Sequence, residues 1–108
     1  MPQVQIHGFA NSTASEEVAV SVGVGPLTAT AVRVADAITA TGLITTRNWD
    51  GTADIDLGAT RNVQGIAAEA GGWVWVHIEH RKSVRDDEAR WHPAIDAVAA
   101  SNPGRTGL

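Results

Sequence analysis

Residues 73–80 read WVWVHIEH, and their strict alternation decides the fold class. A period of two sends successive side chains to opposite faces of a sheet. Val74, Val76 and Ile78 therefore share one face, while Trp73, Trp75, His77 and Glu79 share the other. Gly71-Gly72 precedes the run and the charged stretch 81–88 follows it, so it predicts one bounded strand rather than part of a helix. The aliphatic face suffices for a core. Two tryptophans on the reverse face need cover of their own.

Upstream, residues 17–24 (EVAVSVGV) alternate in the same way, with Val18, Val20, Val22 and Val24 on one face and Ala19 and Ser21 on the other. Residues 3–9 (QVQIHGF) form a third strand, with Val4 and Ile6 opposite Gln3, Gln5 and His7. After Gly25-Pro26 the apolar spacing turns helical: Leu27, Ala31, Val34, Ala35 and Ile38 make one stripe over about 27–41, with Pro26 suited to the first turn. Gly42-Leu43 reads as a left-handed stop with an apolar residue beyond it. Residues 43–49 and 53–57 predict two strands around the tight-turn dipeptide Asp50-Gly51. Val63, Ile66, Ala67 and Ala70 predict a short helix over 60–70. Downstream of the 73–80 strand, Ser83 and Asp86 suggest a capping box. The helix this opens from about Val84 is expected to break or kink at His92-Pro93.

The element order is thus ββαββαβα, an α+β domain. The expected architecture is a two-layer sandwich with about five strands in a mixed or antiparallel sheet and two to three helices. The 108 residues fit a single domain over 1–101 with a loose tail at 102–108.

Composition removes whole classes of function. Cysteine is absent, which excludes disulfides, thiolate metal sites and a cysteine nucleophile. Twelve acidic residues against eight basic give a net charge of −4, and the bases form no dense stripe, so nucleic-acid binding is disfavoured. The N-terminal residues lack the basic start and apolar run of a signal peptide, and no stretch approaches a membrane span. A cytoplasmic address without membrane association is expected. Lys82 is the single lysine beside seven arginines, and Ala, Val and Gly are abundant. That bias fits a GC-rich bacterial or phage genome.

Five features could carry chemistry, the last of them at the N-terminus. The Trp73/Trp75/His77/Glu79 face can be covered by the chain's own helices or can meet a partner, since tryptophan is enriched at interface hot spots. His77 and Glu79 could aim two ligands at one ion, joined by His7 if its strand lies alongside, or could act as an acid–base pair. Spacing of i, i+2 on a strand is common, and solvated or capping histidines explain it better than a ligand set does, so the sequence assigns no metal and no cofactor. Gly23-Val24-Gly25 lies where a phosphate loop would, but Pro26 removes an amide and Thr28 replaces the third small residue, leaving glycines that let the chain turn. Asp54-x-Asp56 reads as solvated charge.

If Met1 is removed, Pro2 becomes a secondary amine opening into a strand. It resembles the N-terminal proline base of small tautomerases at that residue and the strand after it. The resemblance ends at residues 15–24, which alternate as a strand where the first helix of those proteins should be.

The residues therefore favour a non-enzymatic subunit that works through protein contacts, as an adaptor, an immunity-type partner or a self-associating particle component. The alternative is a small enzyme, tautomerase-like or a metal or acid–base lyase or hydrolase, with its site at His77 and Glu79 or at Pro2.

Overall fold

The computed structural model describes residues 3–9, 17–23, 26–47, 49, 63–72 and 74–101. In chain order these form β1 (Gln3–Phe9), β2 (Val18–Ser21), α1 (Ala29–Thr39), β3 (Thr45–Arg47), α2 (Val63–Ala70), β4 (Trp75–Arg81), α3 (Lys82–Arg85) and α4 (Glu88–Ala100). The protein is mixed α+β, and among the described residues four strands form one mixed sheet in the order β1-β4-β2-β3. β4 runs parallel to β1 and antiparallel to β2, and β2 runs parallel to β3. The expected strand 53–57, its Asp50-Gly51 turn and the tail 102–108 lie outside the described residues.

One sheet face builds the core. Val18, Val20, Val76 and Ile78 pack with Ala31, Val34, Ala35 and Ile38 of α1 and with Ala94 and Val98 of α4. These are the residues that period-two and helical spacing assign inward, so strand pattern and helix stripe meet at one interface. Arg47 ties β3 to α1 through Asp36 at 2.7 Å, and Arg90 of α4 pairs with Glu17 just before β2.

Local chemistry moved several boundaries. α1 begins two residues later than expected, because the Thr28 hydroxyl accepts a hydrogen bond from the Ala31 amide at 3.2 Å and so caps the helix. Pro26 and Leu27 precede it, and Leu27 is exposed rather than part of the buried stripe. Gly42 closes the end as expected, with φ at 95° and Leu43 buried beyond it.

The C-terminal helix also differs. It divides at Asp86–Asp87, and Pro93 sits inside α4 without ending it. Asp87 takes an extended conformation (φ −124°, ψ 102°) and its carboxylate accepts from the Ala89 amide at 3.1 Å. That aspartate cap replaces the expected Ser83/Asp86 box. Pro93 lies on the exposed side, where solvent can take the Ala89 carbonyl that its missing N–H leaves unpaired. Asp87→Ala is expected to destabilise the domain by about 1 kcal/mol in urea unfolding, the typical worth of an N-cap. Asp86→Ala should change it by less than half of that.

Candidate metal centre on the reverse face of the sheet

The second face of β4 presents Trp75, His77 and Glu79, as its alternation requires. Register decides what stands beside them. In the parallel pair Gln5 is opposite His77 and His7 is opposite Glu79, so Gln5 and His7 fall on the same face as the β4 residues. In the antiparallel pair Ser21 is opposite His77 and Ala19 opposite Glu79. Ala19 and Ser21 are small, and both are buried.

His7, His77 and Glu79 each offer one ligand atom, and these atoms all lie within 4.8 Å of one another. The His7 and His77 ring centroids are 5.0 Å apart with the rings edge to face, and Trp75 stacks on His77 from the other side at 5.4 Å. Trp75 thus holds the His77 ring in place. Zinc ligands at bonds of about 2.0–2.1 Å in a tetrahedron stand about 3.3 Å apart. Closing the set on an ion would take side-chain rotation, chiefly of His7, which is exposed.

The electrostatics favour a cation. Burial, and then the charge of His7, lower the His77 pKa to about 4, so its ring is neutral with a free lone pair at physiological pH. Burial raises the Glu79 carboxyl above its ordinary range, with His7 acting in the opposite direction. A half-buried carboxylate beside two imidazoles gains from a positive ion. His77 Nδ1 and Ser21 Oγ, register partners on this face, are both buried with no hydrogen-bond partner among the described residues. Unpaired polar atoms at such depth cost free energy unless something binds them.

Of the residues singled out in the sequence, β1 and β4 bring together His7, His77, Glu79 and Trp75. Trp75 and His77 are 5% and 3% exposed, so both are covered within the single chain. Pro2, Trp73, Asp54, Asp56 and two residues of the glycine loop (24 and 25) lie outside the described residues. His80 is buried on the opposite face. His92 lies on the exposed side of α4 between Glu88 and Asp96, at 3.6 and 3.7 Å, and takes no part in the cluster. Sequence reading passed over Ser21 as a site residue. Its one signal was a hydroxyl inside an otherwise aliphatic strand. No helix among the described residues is long and apolar enough to cross a membrane.

No family model matches this chain, and neither a curated protein nor a solved structure matches it.

Proposed function

We propose that the chain binds one divalent transition-metal ion through His7, His77 and Glu79 and uses it as a Lewis acid, in hydrolase or lyase chemistry. The convergence of these three ligand atoms to within 4.8 Å carries the reading. Two imidazoles and one carboxylate are the donor set of catalytic zinc and of non-haem iron(II), with positions left open for water or substrate. Bound metal would lower the pKa of a coordinated water towards neutrality. Trp75 would hold the His77 ring, and Glu79 would supply the charge that makes the site selective for cations.

Titration with Co²⁺, followed in the visible spectrum, and with Zn²⁺, followed by calorimetry, tests this. One equivalent per chain is expected. His7→Ala and Glu79→Gln should each weaken binding by about tenfold to a hundredfold, the scale seen when even supporting partners of a metal site are removed. No saturable binding, or binding indifferent to both variants, would sink the proposal.

Protein contact is the second reading, and one observation favours it. Among the described residues β1 is an edge strand of seven residues with Ile6 48% exposed, and such an edge is a template for pairing with another chain. Native mass spectrometry should then show a dimer or larger assembly that Ile6→Lys reduces to monomer. A monomer at all concentrations tested would remove this reading and leave the metal site untouched.

A further inference from the structure

The helix-covered side of the same edge strand carries a second site with different chemistry. A cleft of about 310 Å³ lies between β1, the end of β4, α3 and α4. Ile6, Trp91 and Ile95 supply apolar walls, and His7, His80 and Arg85 supply polar ones. The volume stands at the lower limit of small-molecule pockets, which suits a ligand of one ring or a short chain.

Two features make this more than a dent. Arg85 Nε donates a hydrogen bond to the His80 carbonyl oxygen at 3.2 Å, which fixes the plane of the guanidinium against the wall. Gly8 permits that position, since a Cβ there would stand 2.2 Å from Arg85 Nε. The second feature is His80, 2% exposed, whose Nε2 has no hydrogen-bond partner among the described residues. A buried imidazole nitrogen left unpaired is destabilising, and a ligand's polar atom can relieve it.

We propose that this cleft binds a small carboxylate with an apolar body, its carboxylate on Arg85 beside His80 and its body against Ile6, Trp91 and Ile95. The planar guanidinium matches a carboxylate edge to edge. The apolar walls favour a hydrocarbon body over a bare inorganic anion. At a net charge of −4 the protein as a whole does not attract anions, so recognition is local to Arg85.

Benzoate, benzyl alcohol and inorganic phosphate are the probes, titrated into metal-stripped protein and followed by amide chemical shifts. Benzoate is expected to shift the amides of Gly8, His80, Arg85 and Trp91 saturably. Benzyl alcohol, the neutral analogue, should bind at least tenfold more weakly, and phosphate more weakly than benzoate. Arg85→Met should weaken benzoate at least tenfold, and Arg85→Lys by less, because it keeps the charge and loses the fork. Three results each overturn the proposal: benzoate and benzyl alcohol binding alike, phosphate binding more tightly than benzoate, or Arg85→Met without effect. So does the lack of saturation by roughly 20 mM, well above the millimolar dissociation constant expected of a one-ring ligand.

Discussion

Lowering the pH of the metal-free protein from 7 to 4 is expected to remove about 3 kcal/mol of folding free energy through His77 alone. The folded-state pKa of His77 is depressed to about 4 from an ordinary 6.5. The unfolded chain therefore takes up a proton below about pH 6.5 that the folded chain refuses until about pH 4. Stability is full above that window and falls across it, at about 1.4 kcal/mol for each unit of pKa difference. His80, whose pKa burial also lowers, adds loss of the same sign. Glu79 acts oppositely: its raised pKa gives stability at low pH that is lost as the pH rises past the ordinary carboxyl range. Urea unfolding at pH 7, 5.5 and 4 measures the balance, and His77→Gln should flatten the slope. An equal slope in that variant would show that the imidazole is hydrated in the folded state. Metal should make the acid limb steeper, since protons and the ion compete for the same nitrogens.

Ile78→Ala should cost about 3 kcal/mol or more and lower Tm by roughly 15 °C, on the usual scales for a buried isoleucine and a domain of this size. Ile78 is fully buried at the centre of the sheet, with Ile6 in register on one side and Val20 on the other. It faces the helices α1 and α4 through the shared core. Removing three carbons there leaves a cavity that two strands and two helices would have to collapse together to fill. Domains have about 5–15 kcal/mol in total, so the variant should be partly unfolded at 37 °C. Ile66→Ala is the control: Ile66 is exposed on α2, and alanine is the better helix former, so the change should lie within about 0.5 kcal/mol. Equal losses at both positions would mean that the described sheet is not the core.

Much of the fold was legible because the strand and helix periods are so distinct in this chain. In WVWVHIEH and EVAVSVGV alternation sorts the side chains into two faces, and Leu43 after Gly42 marked where α1 had to stop. The boundaries that moved were set by hydroxyl and carboxylate caps, at Thr28 and Asp87. These compete within one or two residues, and spacing does not rank them. The helix continues through Pro93 for a related reason. Proline disfavours helix locally, but the cost is small where the freed carbonyl faces water, and the burial of Ala94 and Val98 against the core outweighs it.

The candidate site divides in the same way. The sequence alone put Trp75, His77 and Glu79 on one face, because alternation is a property of a single strand. It could not say that β1 lies parallel beside β4, since pairing partners are chosen by long-range burial and loop geometry rather than by any residue within the strands. That register brought His7 opposite Glu79, and the antiparallel pairing of β2 with β4 set Ser21 opposite His77. It likewise assembled Ile6, Gly8, His80, Arg85 and Trp91 from four separate elements into one cleft. Sequence fixed which side chains travel together along a strand; only tertiary packing, where a shift of one residue would send every side chain to the other face, decided which strands met and so which chemistry converged.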